Sequence, residues 1–130
     1  MAKGHRSQIK RERNAVKDLR PRASVKNVPV SETKAKVVAE AIKGKSVIDA
    51  MGILRFSTKK AAGLFEKVLA SAVANAEHNL SMNPENLYVA EVVVCQGSKK
   101  GRYRVKPEPQ GRVTRRLKPQ CHINIVLNER

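Results

Sequence analysis

Acidic residues are scarce in this chain: 11 Asp and Glu stand against 27 Lys and Arg, a formal net charge of +16 over 130 residues. So large an imbalance favours polyphosphate partners and says little about the fold. Aromatics are scarcer still, with two Tyr, two Phe and no Trp. That is too few for a platform that stacks a single strand base by base. Two cysteines exclude a disulfide scaffold, and His5, His78 and His122 fall on separate elements with no acid or thiol at metal-ligand spacing. No apolar run is long enough to cross a bilayer, and the N-terminus lacks the apolar stretch of an export signal. Glu12 and Asp18 interrupt the basic leader as an organelle transit peptide would not. The expected setting is therefore the reducing cytoplasm, with no membrane partner.

Catalytic signatures are missing too. There is no phosphate loop, nucleophile elbow or dinucleotide fingerprint. Glu77 and His78 are adjacent on a predicted helix, so their side chains diverge by about 100°. No enzyme activity, catalytic residue, metal or cofactor is expected.

What the chain does have is charge laid out unevenly. Residues 1–36 carry eleven cations and three anions, residues 37–97 six of each, and residues 98–119 nine cations against Glu108 alone. This describes a single domain, residues 22–130, whose body over residues 37–97 is charge-balanced, with a basic extension over residues 1–21 and a second basic appendage over residues 98–119. The extension has too little apolar surface to offset its ordering entropy and is expected to be disordered when free.

Residues 22–30 read as a strand in which Ala23 and Val25 alternate with polar residues before the phase slips to Val28 and Val30, the mark of a bulge. Pro29 puts the segment at an edge or a strand end. A first helix follows Ser31 as N-cap, with Ala35, Val38, Ala39 and Ile42 on one stripe and Gly44 as its stop. A second is capped by Ser46 and Asp49, with Val47, Ala50, Met51, Ile53 and Leu54 inward. A third, capped by Ser57 or Thr58, carries Ala61, Leu64, Phe65, Val68, Leu69, Ala72, Val73 and Ala76 on one face to about Glu77.

Two strands close the chain. Tyr88, Ala90, Val92 and Val94 alternate on one face of the first, and Cys121, Ile123, Ile125 and Leu127 on one face of the second. Matching those faces makes directly opposed residues sum to an odd number, so Cys95 and Cys121 do not face each other and both thiols are expected to be free. Between the strands, cations fall at odd and even positions alike. An arm charged on both faces buries neither against protein, so residues 98–119 are expected to project as a hairpin turning near Pro107-Glu108-Pro109.

The cations point to phosphate. Lys34 and Lys36 lie in the first turn of the first helix and Lys59 and Lys60 at the start of the third, where positive charge opposes the helix dipole unless an anion sits there. Arg102, Arg104, Arg112, Arg115 and Arg116 offer planar forks to phosphate oxygens. A compact structured RNA suits such an arm. An architectural DNA-binding protein with basic β-arms is the alternative.

Several runs in order carry a resemblance. They are Val30-Ser31-Glu32-Thr33-Lys34-Ala35-Lys36-Val37-Val38, Ile42-Lys43-Gly44-Lys45, Ala50-Met51-Gly52-Ile53-Leu54 and Thr58-Lys59-Lys60-Ala61-Ala62. Ser71-Ala72-Val73-Ala74-Asn75-Ala76-Glu77-His78-Asn79, Gln110-Gly111-Arg112 and His122-Ile123-Asn124-Ile125-Val126 complete them. Over residues 22–128 the chain resembles the large-subunit ribosomal protein L22 family. The resemblance implies an α+β fold in which three helices pack on a small three-stranded antiparallel sheet, with a long protruding basic β-hairpin. It also implies binding to 23S-type rRNA, contact with neighbouring large-subunit proteins, and no homo-oligomer. The hairpin would line the nascent-peptide exit tunnel beside the passing polypeptide. The rRNA-binding set expected on these grounds is Arg22, Lys26, Lys34, Lys36, Lys59, Lys60, His78, Lys99, Lys100, Arg102, Arg104, Lys106, Arg112, Arg115, Arg116 and Lys118. Carried over by position, Lys99, Lys100, Gly101, Arg102, Tyr103 and Arg104 form the tunnel tip. Three departures from the family pattern stand out: the basic leader, Ser31-Glu32-Thr33-Lys34 in place of Ser-Pro-Arg-Lys, and about two extra residues between Gly97 and Gly111.

Overall fold

The apolar stripes of the three body helices converge on one sheet. The computed structural model describes residues 5–15, 19–99 and 102–130. In chain order the elements are α1 (His5–Ala15), β1 (Arg22–Val28), α2 (Glu32–Ile42), α3 (Val47–Phe56), α4 (Ala62–Leu80), β2 (Leu87–Gln96), β3 (Tyr103–Pro107), β4 (Val113–Leu117) and β5 (Cys121–Glu129). The body sheet runs β1-β5-β2, antiparallel throughout, and β3-β4 form a separate two-stranded ribbon. The α+β expectation holds, with one helix more than the three anticipated. That helix is α1: its Lys, Arg, Gln and Glu are good helix formers, yet none of its described side chains joins the core.

Each body helix buries the stripe its sequence predicts. Ala35, Val38, Ala39 and Ile42 of α2 are buried, as are Val47, Ala50 and Leu54 of α3, with Met51 and Ile53 half-buried against the same core. In α4, Phe65 and Leu69 are fully enclosed and meet Ile123, Ile125 and Leu127 of β5 in one cluster. Asn75 Nδ2 donates to the Arg22 carbonyl at 3.0 Å, tying α4 to β1. The capping expectations fare unevenly. Ser46 Oγ accepts from the Asp49 N–H (3.1 Å) and donates to its carboxylate (2.7 Å), as its position predicts. Ser31 holds the N-cap place of α2 without a side-chain cap; its hydroxyl meets Thr33 Oγ1 at 3.2 Å instead. Neither Ser57 nor Thr58 caps α4: that position falls to Ala61, because Ser57 is taken up as the C-cap of α3.

The expected slip in β1 is a bulge between Val25 and Val28, with Asn27 at φ 57° and its N–H donating to His122 Nδ1 at 3.0 Å. A second bulge, at Ala90, corrects the reading of β2. Val92 and Val94 oppose Ile125 and Ile123 with the odd parity predicted, but Val89 opposes Leu127, so before the bulge Leu87 and Val89 are the buried residues. Leu87-Tyr88-Val89 and Val92-Val93-Val94 each offer apolar residues in opposite phase, and one extra residue lets both halves face the core. The α2–α3 link docks on this strand: the Gly44 N–H donates to the Val89 carbonyl (2.8 Å) and the Val89 N–H to the Lys45 carbonyl (2.9 Å), with Gly44 at φ 77°.

Candidate nucleic-acid interface

The arm leaves the body where the Gly97 N–H donates to the Gln120 carbonyl at 2.8 Å. A Cβ on Gly97 would lie 3.1 Å from the Gln120 backbone, so glycine permits this approach. The next pair outward is the Lys118 N–H to the Arg102 carbonyl, 2.8 Å. Five residue steps on the outgoing strand thus match two on the returning one. This excess of three reverses the pairing parity, and throughout the arm even-numbered residues oppose even-numbered ones: Arg104 with Arg116, Lys106 with Thr114.

The reversal corrects the expectation of an arm charged on both faces. Opposed residues share a face, so Arg102, Lys118, Arg104, Arg116 and Lys106 line one side. The other carries Tyr103 with Leu117, Val105 with Arg115 and Pro107 with Val113. Arg115 is the lone cation there among the described residues, its guanidinium 4.9 Å from the Tyr103 ring centre. Every described residue of the ribbon is exposed, and among the described residues no cation of the arm pairs with a carboxylate. The turn is built by two consecutive left-handed residues, Gln110 (φ 64°) and Gly111 (φ 69°), closed by the Glu108 N–H on the Arg112 carbonyl at 2.9 Å. The positions carried over as the tip are therefore misplaced. Arg102, Tyr103 and Arg104 stand at the arm's root, opposite Lys118, Leu117 and Arg116, and Lys99 precedes them. The tip is Pro109–Gly111. Lys100 and Gly101 lie outside the described residues.

At that root the arm overhangs the helices and makes a cleft of about 970 Å³. Its lining brings together Lys34 from the first turn of α2, Lys59 and Lys60 from the loop before α4, and Arg102, Arg104 and Lys118 from the arm. Among the described residues no carboxylate lines it. Ser31, Thr33 and Lys34, at the N-terminal end of α2, line the same space, and Ser31 makes no side-chain cap there. Six cations without a counter-charge repel one another across this space, and a bound polyanion removes that cost.

The other predicted residues are spread out. Lys36 lines a separate groove between α2 and β2, with Glu40, Lys43 and Val92–Val94. Arg22 and Lys26 are exposed on β1, and Lys106 and Arg112 reach towards the tip. His78 is exposed in the last turn of α4, roughly 25 Å along the helix from Lys60. The sequence reading overlooked Phe56, the most exposed large apolar side chain among the described residues at 92 %. Both cysteines are free: Cys95 is exposed and opposes His122, while Cys121 is buried and opposes Gln96. Burial, and secondarily the negative field of Glu32, push the Cys121 thiol pKa up. Among the described residues no group of three His, Cys, Asp or Glu is placed to hold a metal.

A sheet-and-helix body whose chemistry-bearing surface is a cleft and ribbon of cations defines a class of basic α+β proteins suited to a polyanionic partner. The chain belongs to the family of ribosomal protein L22p/L17e, whose family model matches residues 23–128. It is 51% identical to the large ribosomal subunit protein uL22 of Lachnoclostridium phytofermentans over 131 aligned positions covering the whole of both chains. The protein of the same name from Lachnospira eligens is 50% identical, again over the full length of both. That from Clostridium beijerinckii is 45% identical over 109 positions, 84% of this chain and 96% of the relative. The family is one of structural constituents of the ribosome, which sets aside the DNA-binding alternative.

Proposed function

We propose that the chain is a structural component of the large ribosomal subunit in the cytoplasm and binds 23S-type rRNA through the cleft and the cationic face of the arm. The observation that carries this reading is the gathering of Lys34, Lys59, Lys60, Arg102, Arg104 and Lys118 around one space that no carboxylate lines among the described residues. RNA backbone entering there meets charge, planar guanidinium forks and the N-terminus of α2 together. Arg22, Lys26, Lys36, His78 and Lys99 extend the contact over the body, beside neighbouring large-subunit proteins. The arm runs onward along the exit tunnel. Its even-numbered face, with Lys106, Arg112 and Arg116, lies on the RNA wall, and the Tyr103–Val105–Val113–Leu117 face borders the nascent polypeptide. The α1 helix, too short to be stable alone in water, is ordered along RNA.

The cleft is tested by replacing Lys34, Lys59 and Lys60 together with Gln. Each phosphate contact contributes roughly 0.7–0.9 to the log–log salt slope of binding. The triple variant is therefore expected to bind a 23S rRNA fragment more weakly, with a slope smaller by about 2. An unchanged slope would return these lysines to the role of solvated surface charges.

A further inference from the structure

Phe56, the last residue of α3, is 92 % exposed, and one exposed aromatic alone needs no explanation. Two neighbours change that. Ile48, eight residues earlier, is 66 % exposed. Gly52 lies four residues from each, so the three form one outward stripe of the helix. A glycine inside a helix is destabilising relative to alanine, and here nothing within the chain calls for it. A Cβ at Gly52 would meet no atom within 4 Å, and its backbone is not left-handed. The helix thus presents a shallow saddle, bare in the middle and walled at its ends by an aliphatic and an aromatic side chain.

The charges beside the saddle select its occupant. Lys59 and Lys60 follow Phe56 within four residues and line the cleft, and Lys45 precedes the helix. The acids nearby are already engaged: Asp49 with Ser46 (2.7 Å) and Glu66 with Arg55 (3.1 Å). A partner protein would have to bring its own carboxylates to those lysines. A polynucleotide supplies both parts at once, phosphates to Lys59 and Lys60 and a flat apolar base to Phe56. We infer that the Ile48–Gly52–Phe56 stripe is a stacking shelf for one unpaired RNA base, a contact that rests on the rRNA reading and extends it.

The test measures binding of the full-length chain to a 23S rRNA fragment across a range of salt. Phe56→Ala and Phe56→Leu are expected to lower affinity about 5- to 100-fold, and Phe56→Tyr, which keeps the ring, to bind like the unsubstituted chain. The salt slope stays the same in all three, because stacking displaces no counterion, and thermal midpoints hold, because Phe56 is not in the core. Equal affinity of Phe56→Ala and the unsubstituted chain overturns the shelf, as does full binding by Phe56→Leu. So does a Phe56→Ala chain that binds naked rRNA normally yet fails to join reconstituted subunits, since that result assigns the stripe to a protein neighbour. The rRNA reading fails separately: an unsubstituted chain whose binding is weak and insensitive to salt sinks it, and the shelf with it.

Discussion

Lys118 donates its backbone N–H to the carbonyl of Arg102 at 2.8 Å, which puts these two cations side by side on one face of the arm. The pairing continues through Arg104 with Arg116, so like charges face each other directly along the ribbon. Such pairs are destabilising in a free sheet, and they are tolerable where phosphates intervene. Replacing Arg104 and Arg116 together with Gln is expected to lower the salt slope of rRNA binding by about 1.5. Val105→Gln with Val113→Gln, on the opposite face, should leave the slope as it was. Equal effects from the two pairs would mean that the arm is embedded in RNA on both sides.

The arm is also expected to be dispensable for folding. None of its described residues is buried, and the last body pair is Gly97 with Gln120. Joining Gly97 to Gln120 through a two-residue Asn-Gly turn in place of residues 98–119 should leave the thermal midpoint within a few degrees, followed by circular dichroism. Removing nine mutually repelling cations works in the stabilising direction. A large fall would show that the arm packs on the body.

The body was legible in the sequence because its signals are local. The stripe Ala35–Val38–Ala39–Ile42 and the long face of α4 from Ala61 to Ala76 repeat at helical spacing, and every residue of the first is buried. The existence of the arm was legible too, from its charge and from the Gly and Pro within it. Its two-sidedness was not. Which residues share a face depends on pairing parity, and parity is set by the three-residue excess between Gly97 and Arg102, a relation between strands that no single strand records. The bulge at Ala90 hid the burial of Leu87 and Val89 in the same way. Phe56 escaped because periodicity marks inward faces; the spacing of Ile48, Gly52 and Phe56 was the available signal, and it describes an outward one. The convergence of Lys34, Lys59 and Lys60 with the arm's root needed the fold, since no sequence interval joins them.

The two thiols should differ sharply in reactivity. Cys95 is exposed, whereas Cys121 is buried and its pKa is raised by that burial, so its thiolate is suppressed at neutral pH. In the native chain iodoacetamide is expected to modify Cys95 at a rate close to that of a free thiol and Cys121 only on unfolding, as peptide mass mapping would resolve. Linkage has the matching sign. An unfolded thiol releases its proton before the folded one does, so the Cys121 contribution makes stability fall as pH rises past the ordinary thiol range. Prompt labelling of Cys121 would place β5 in an opening equilibrium that its central position in the sheet argues against.

Asn27 holds a left-handed conformation at φ 57° and turns its N–H to His122 Nδ1 at 3.0 Å, fixing the bulge that carries β1 from the Val25 phase to the Val28 phase. Asparagine tolerates this region better than most residues, and a β-branched side chain does not. Asn27→Val is expected to cost about 1–2 kcal/mol, lowering the thermal midpoint by roughly 4–10 °C. Asn27→Gly should stay within about 0.5 kcal/mol of the original, because the conformational relief offsets the greater freedom of the unfolded chain. The side chain of Asn27 is exposed, so neither change removes a packed group, and the contrast reads the backbone alone. A valine variant as stable as the glycine one would mean that β1 can slip to a regular register, and Val28 would then leave the core it now shares with Cys121.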